Sequence, residues 1–166
     1  MGRWNFLVEG ASGTGKTSVC HELRRRGHDA VNGDTDLAVR LSPDLAPTTA
    51  AEIHGNHGWD ATLVRARAAD TSARLTFFCG GSRNAASFLD VFDSVFVLEV
   101  DRATLVRRLD QRADDDWGST PEQRELVLRL HAAGDDVPPG TAIDATAPLA
   151  DVVDALLAAA EAIARR

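Results

Sequence analysis

Short apolar runs recur along the chain at intervals that suit a layered sheet. Residues 5–10 (NFLVEG) and 94–101 (SVFVLEVD) are continuous apolar runs of strand length, and residues 74–81 (RLTFFCGG) add β-branched and aromatic residues. Runs of this kind are typical of strands that are buried on both faces of a sheet. Residues 28–34 and 140–148 are shorter segments of the same type. The pattern therefore predicts five strands.

Helical periodicity fills the intervals between these strands. In the last segment, from Leu149 onward, apolar residues recur three and four positions apart, which predicts an amphipathic helix. Thr120, Pro121 and Gln123 fit a capping box at the start of a helix, with proline at the first helical position. The predicted helices cover residues 16–26, 61–73, 102–112, 120–131 and the segment that starts at 149.

Alternating strands and helices predict one α/β domain over residues 1–166, with a parallel sheet covered by helices on both faces. Ligands of such folds bind beyond the carboxyl ends of the strands. Gly10, Asp34, Gly80 and Asp144 each follow a predicted strand, so we expect them around one cleft. Residues 41–60 lack a sustained period and predict an irregular insertion with a short helix at most.

Composition narrows the classes of partner. A net charge of −7 argues against nucleic acid or an anionic membrane as the main partner, whereas a small anion needs only a local basic cleft. No run reaches the roughly 18 apolar residues of a membrane span. Cys20 and Cys79 lie in apolar surroundings without metal-ligand spacing, which predicts reduced thiols. We expect a cytoplasmic monomer or homodimer that acts on a small molecule.

The stretch GASGTGKT between the first strand and the first helix carries the strongest chemical signal. It matches G-x-x-x-x-G-K-[ST], the phosphate-binding loop or P-loop, in the strand–loop–helix context that the motif requires. Lys16 would reach the β- and γ-phosphates of a nucleotide, and the Thr17 hydroxyl would bind Mg²⁺. The predicted nucleotide-binding residues here are Gly10, Ala11, Ser12, Gly13, Thr14, Gly15, Lys16, Thr17 and Ser18.

Lys16 is the single lysine of a chain that has 17 arginines. A compact ammonium differs from a planar guanidinium, so the loop is expected to need that group. The guanine-reading motif N-K-x-D requires a second lysine, which argues against a GTPase. The chain also lacks the length of a remodelling ATPase. A kinase for small molecules is the class that remains.

The chain resembles the shikimate, gluconate and nucleoside or nucleotide kinases over nearly its whole length. The resemblance rests on the order of five motifs: GASGTGKT, GDTD, CGGSR, RLDQRADDDWG and IDATAP. It implies the P-loop NTPase three-layer sandwich, with a five-stranded parallel sheet, helices on both faces and a small lid at about residues 112–120. It also implies ATP and Mg²⁺ as cofactors.

Residue roles follow from the same resemblance. The GDTD motif supplies two carboxylates, and we expect Asp36 to face the acceptor as base while Asp34 lies beside Thr17 and Mg²⁺. Arg112 is the expected catalytic arginine of the lid. Further expected contacts are Arg108, Thr146 and Pro148 for the nucleotide, and Asp36, Trp59, Gly80, Gly81 and Arg83 for the acceptor.

The insertion departs from shikimate kinases, which carry an arginine there and three glycines at the later turn. His54, His57 and Trp59 predict a pocket for a ring or a sugar, with stacking on the indole. A zinc site formed by both histidines and Asp60 is an alternative that lacks a fourth ligand.

The sequence as a whole predicts an ATP-dependent phosphotransferase that acts on a hydroxyl or phosphate of a nucleoside, nucleotide or related metabolite. A shikimate- or gluconate-type kinase is one alternative. A regulatory protein that binds ATP without catalysis is another.

Overall fold

The computed structural model describes residues 3–166 as seven strands and seven helices. The strands are β1 (Trp4–Glu9), β2 (Asp29–Asn32), β3 (Ala38–Arg40), β4 (His57–Trp59), β5 (Leu75–Cys79), β6 (Ser94–Glu99) and β7 (Thr141–Asp144). The helices are α1 (Lys16–Arg25), α2 (Gly33–Asp36), α3 (Ala50–Gly55), α4 (Ala61–Ala69), α5 (Arg102–Asp110), α6 (Pro121–Ala133) and α7 (Leu149–Ala164).

The main sheet is parallel and has five strands in the order β2-β5-β1-β6-β7. β1 therefore lies in the middle, and successive side chains of this strand enter different cores. Phe6 and Val8 pack in the core with α1 and α7, whereas Leu7 packs in the other core with Trp59 and Phe88. Helices cover both faces, so the predicted five-stranded α/β sandwich is confirmed.

Residues 41–60 are more regular than the sequence indicates. Thr49 and Glu52 form a reciprocal capping box that starts α3, and β4 pairs antiparallel with β3 in a small second sheet. Strands of three residues are too short to show a period of two, so the sequence pattern does not predict this pair. The insertion thus contains the short helix that the sequence allows, and it adds a strand, β4, that the sequence does not indicate.

Helix α6 shows how the local sequence sets an element boundary. The Thr120 side chain accepts a hydrogen bond from the Gln123 amide, and Pro121 occupies the first turn. Gln123 does not close a capping box, because its Oε1 instead accepts from the Gly118 amide at 2.9 Å. The helix ends at Gly134, whose φ of 70° is left-handed. The predicted start of this helix is confirmed.

Cys20 and Cys79 are buried and free, as the sequence predicts. Within residues 3–166, none of the helices has both the length and the apolar character needed to cross a membrane.

Candidate active site

A cavity of about 850 Å³ opens beyond the carboxyl ends of the main-sheet strands. The P-loop borders one side, and the post-β5 turn and α3 border another. The turn after β7 and the segment between α5 and α6 complete the wall. This is the edge of the sheet where the sequence analysis expects the cleft, because the carboxyl ends of parallel strands meet there.

The P-loop wraps tightly against the strands and α5. Gly10 has a φ of 151°, and a Cβ at this position would lie 2.5 Å from Thr14 Oγ1 and 2.8 Å from the Leu98 carbonyl oxygen. Gly15, with a φ of 101°, leads directly into α1. The amides at the start of α1 therefore face the cavity, an arrangement that suits a phosphate group. Ala11 takes part through its carbonyl oxygen, which accepts hydrogen bonds from Thr14 Oγ1 and Lys16 Nζ, rather than through its side chain.

Lys16 folds back over the P-loop. Its Nζ donates to the carbonyl oxygens of Gly10 at 2.5 Å and Ala11 at 3.0 Å. Burial lowers the pKa of Lys16, and the negative charges of Glu9 and Asp34 oppose this shift. Thr17 and Ser18 follow at the start of α1, and both line the cavity with exposed side chains.

Two arginines on or after α5 reach the P-loop. Arg108 donates to the Thr14 carbonyl at 3.1 Å and to the Ala145 carbonyl at 2.6 Å, which links the loop to the turn after β7. Arg112 donates to Ser12 Oγ at 3.2 Å and to the Trp117 carbonyl. Both side chains border the cavity, so they lie where the sequence analysis places a nucleotide contact and a lid arginine.

The structure places Asp34 in the cavity with Thr17, as expected, but it corrects the expected position of Asp36. Asp34 lines the cavity, and its Oδ1 accepts from His57 Nε2 at 3.1 Å. Burial alone would raise the pKa of Asp34, but the hydrogen bond from His57 and the charge of Lys16 outweigh it and lower the pKa. Asp36 points away from the cavity and pairs with Arg24 at 2.9 Å. Asp36 therefore does not face an acceptor in the cavity.

Trp59 is the second correction. Its side chain is 1% exposed and stacks on Phe88 with a centroid distance of 5.8 Å and an interplanar angle of 6°. The ring fills the space above two glycines, because a Cβ at Gly33 would lie 2.0 Å from it and one at Gly80 would lie 2.8 Å from it. Trp59 is thus a core residue that supports the floor of the cavity, and it cannot stack on a substrate.

The acceptor side is built from side chains of three segments. Arg83, in the turn after β5, donates to Oδ1 of Asp136 and to its carbonyl oxygen, the latter at 3.1 Å. His54 of α3 approaches the same carboxylate at 2.8 Å. Because a carboxylate only accepts, the His54 Nε2 carries the proton. The His54 ring also stacks on Trp117 at 6.2 Å.

Three residues of this region escape the sequence analysis: Glu9, Trp117 and Asp136. Trp117 and Asp136 border the cavity, and Glu9 lies buried beside the P-loop. Asp136 lies in an acidic, proline-containing loop whose sequence gives no period, so only the tertiary structure brings it to Arg83. Glu9 follows three consecutive apolar strand residues, and this unusual placement of a charge is a signal that could have been used.

The remaining predicted residues lie beside the cavity to different degrees. Gly81 lines it directly, and Gly80 lies beneath Asp34 and Trp59. In the turn after β7, Ala145 and Ala147 face the cavity. Thr146 instead turns its hydroxyl to Asp144 at 2.5 Å, and Pro148 precedes α7. The turn borders the cavity as expected, but through the neighbours of the two predicted residues.

The two residues expected to bind Mg²⁺ are both oxygen donors. The Thr17 hydroxyl and the Asp34 carboxylate both line the cavity and are hard ligands of the kind that Mg²⁺ prefers. The zinc alternative is not supported, because His54 and His57 pair with different aspartates while Asp60 caps α4. No cluster of three or more histidine, cysteine, aspartate or glutamate side chains suits a metal ion in residues 3–166.

Solved structures identify the fold. A gluconokinase from Sinorhizobium meliloti 1021 matches with a TM-score of 0.60 and 20% identity over 98% of this chain and 94% of its own. A sugar kinase from Janibacter sp. HTCC2649 matches with a TM-score of 0.59 and 19% identity over 95% of this chain and 94% of its own. The chain has the fold of the P-loop kinases.

A third match extends this fold to another kinase class. A deoxyadenosine kinase from M. mycoides, solved with dCMP and dCDP, matches with a TM-score of 0.53 and 14% identity. The alignment covers 96% of this chain and 100% of that one. No family model and no curated protein matches the chain. At these sequence identities the similarity shows the fold alone. The function is therefore inferred from the geometry of the site.

Proposed function

We propose that the protein transfers the γ-phosphoryl group of ATP to a hydroxyl of a sugar, either free or as part of a nucleoside. One observation carries this proposal: the Asp34 carboxylate and the Lys16 ammonium border the same cavity, close enough for each to affect the pKa of the other. A carboxylate beside a phosphate-binding lysine is the arrangement needed to orient a hydroxyl toward the γ-phosphate.

Different residues of the chain would bind the phosphates and orient the acceptor hydroxyl. The P-loop amides and Lys16 would hold the phosphates, and Arg108 and Arg112 would add positive charge as negative charge spreads over the transferred group. Asp34 would accept a hydrogen bond from the acceptor hydroxyl and take up its proton as the new P–O bond forms, while the bond from the γ-phosphorus to the bridging oxygen breaks and ADP leaves. His57 donates to Asp34 and so fixes the direction of its carboxylate. Asp34 thus has the acceptor role that the sequence analysis assigns to Asp36.

Mg²⁺ suits the oxygen donors of this site. Thr17 would hold the ion, with Asp34 as the carboxylate of the same site, and bound Mg²⁺ would neutralise part of the charge on the β- and γ-phosphates. The segment at residues 112–120 would act as a lid, since Arg112 and Trp117 lie on it and border the cavity. We place the reaction in the cytoplasm, where ATP is available.

The polar lining favours a hydroxyl-rich acceptor. His54, His57, Arg83 and Asp136 supply donors and acceptors at the end of the cavity beyond Lys16. With Trp59 buried in the core, the aromatic rings that line the cavity and could stack on a nucleoside base are those of Trp117, His54 and His57. The names of the similar structures, which include a gluconokinase, a sugar kinase and a deoxyadenosine kinase, agree with this range of acceptors.

ADP release in the presence of ATP and Mg²⁺ tests the proposal. The panel should contain neutral sugars, sugar acids, nucleosides, nucleotides and shikimate. We expect ADP release that depends on one class of hydroxyl-bearing acceptor. Nucleotide binding without release for any member of the panel would instead support the regulatory alternative.

A further inference from the structure

Glu9 is a buried carboxylate that lies between the P-loop and the turn after β5. It is the last residue of β1 and is 1% exposed, although it borders directly on the P-loop. An isolated carboxylate in such a place is costly to bury, so its partners must be of the kind that stabilise negative charge. The partners of Glu9 come from both the phosphate side and the acceptor side.

Hydrogen bonds tie the carboxylate to two loops. Oε2 accepts from the Gly10 amide at 3.0 Å, at the start of the P-loop. Oε1 accepts from the Ser82 amide at 3.4 Å, in the turn that carries Gly81 and Arg83. A Cβ at Gly81 would lie 3.4 Å from Glu9 Oε2 and 3.5 Å from Arg83 Nη2, so this glycine separates the two charged groups.

Two cations lie within electrostatic range of the same carboxylate. Burial raises the pKa of Glu9, and the charges of Lys16 and Arg83 oppose that shift. Glu9 in turn is the leading charge that opposes the lowered pKa of each cation. Lys16 and Arg83 make their hydrogen bonds to other groups, so Glu9 acts on both through its charge.

We infer that Glu9 is a positioning residue that couples the phosphate-binding loop to the acceptor turn. Its two hydrogen bonds fix the position of the turn at residues 80–83 relative to Gly10. Its negative charge offsets the repulsion between the positive charges of Lys16 and Arg83, so these two side chains can lie near each other. This inference deepens the proposed function and rests on it. It assigns to Glu9 no contact with either substrate.

The substitution Glu9→Gln separates this role from simple support of the P-loop. Glutamine keeps the shape but removes the charge and turns one acceptor into a donor that faces an amide. Loss of a negative charge near Lys16 makes the phosphate-binding site more attractive to a polyanion, so we expect the Kd for Mg·AMP-PNP to fall by about threefold to tenfold. Damage to the P-loop alone would raise that Kd.

Hydrogen exchange of backbone amides tests whether Glu9 holds the turn at residues 80–83 in place. In Glu9→Gln the one remaining carbonyl oxygen should accept from the nearer Gly10 amide, whose bond is 3.0 Å long against 3.4 Å for Ser82. The side-chain NH₂ group then faces Ser82, so we expect the Ser82 amide to exchange at least about tenfold faster. With an active acceptor, kcat should fall while the KM for ATP does not rise. Glu99→Gln is the matched control, because Glu99 ends the neighbouring strand β6 and is exposed. It should leave both readouts unchanged.

Glu9→Asp serves as the second variant in case Glu9→Gln does not fold. Aspartate keeps the charge but is one methylene shorter, so AMP-PNP affinity should stay within about twofold of the original while Ser82 loses protection. Weaker or equal binding by Glu9→Gln, or weaker binding by Glu9→Asp, would overturn the inference. Failure of the unsubstituted protein to bind Mg·AMP-PNP would overturn the proposed function, and the electrostatic part of this inference with it.

Discussion

The carboxylates of Asp34 and Asp36 face opposite sides of the helical turn that carries both. Asp34 accepts from His57 in the cavity, whereas Asp36 accepts from the Asn32 amide and pairs with Arg24 outside it. Helical residues are turned by about 100° from one to the next, so residues two apart point in nearly opposite directions. The GDTD motif therefore places the Asp34 carboxylate in the cavity, whereas the Asp36 carboxylate makes contacts within the fold.

This division predicts different effects of two identical substitutions. Asp34→Asn should lower kcat by about 10²-fold or more, because the acceptor hydroxyl loses its orienting carboxylate. Asp36→Asn should leave kcat nearly unchanged and cost about 1 kcal/mol or less of stability, since its ion pair is exposed. Kinetics across Mg²⁺ concentration check the assignment. Recovery of Asp34→Asn at high Mg²⁺ would mean that Asp34 serves mainly as a ligand of the ion.

Lys16 should tolerate no other side chain. Lys16→Met removes the point charge between the phosphates, and Lys16→Arg replaces it with a wider planar group in a loop that already closes on the ammonium. We expect both variants to fold, as judged by circular dichroism, and to lose transfer. Arg24→Lys, outside the cavity, is the control. Activity in Lys16→Arg would show that the ammonium is not required.

The two tryptophans near the site should respond in different ways. Trp59→Leu should lower the free energy of unfolding by about 2–5 kcal/mol, because it leaves a cavity against Phe88 and two glycines. Trp117→Leu should cost less stability than Trp59→Leu, because Trp117 is only partly buried against the core, and it should raise the KM of the acceptor. Urea unfolding and steady-state kinetics on both variants test this. A large rise in acceptor KM for Trp59→Leu, without loss of stability, would contradict the core assignment.

Stability should fall as the pH drops below about 6.5. Burial and the positive charge of Arg83 lower the pKa of His54 to about 4. Between the unfolded pKa of about 6.5 and this folded value, the unfolded chain binds a proton that the folded protein rejects. The native state should therefore lose about 1–3 kcal/mol between pH 7 and pH 4 through this group.

Urea unfolding at several pH values checks the contribution of His54. His54→Gln should show a shallower loss of stability below pH 6.5 than the original protein. His21→Gln removes an exposed histidine and should keep the original slope. Equal slopes for all three proteins would show that His54 titrates normally in the folded state.

The lid should become ordered when both ligands bind. Arg112 and Trp117 lie on a segment between two helices, and an arginine that covers phosphates must move away for exchange. We expect amides at residues 112–120 to exchange more slowly with Mg·AMP-PNP and an acceptor bound. The amides of β1 report the unchanged core. Equal exchange of residues 112–120 in both states would contradict a lid.

Local signals predict the parts of this protein that depend on local interactions. The five strands and the P-loop follow from apolar runs and from glycine spacing, and the start of α6 follows from Thr120 and Pro121. The direction of Asp36 does not follow, because it depends on whether residues 33–36 form a helical turn or an extended segment. The contact of Asp136 with Arg83 spans 53 positions, and no local pattern encodes such a distance.

The solitary lysine gives the chain a chemical reporter at its own active site. Besides an α-amino group, Lys16 is the one amine that an acylating reagent can modify. Its ammonium lies over the P-loop and donates hydrogen bonds to the Gly10 and Ala11 carbonyl oxygens. Bound triphosphate would shield that amine, so the mass of the acylated protein would count occupied sites molecule by molecule. Candidate donors could then be ranked by protection alone, before any acceptor is identified.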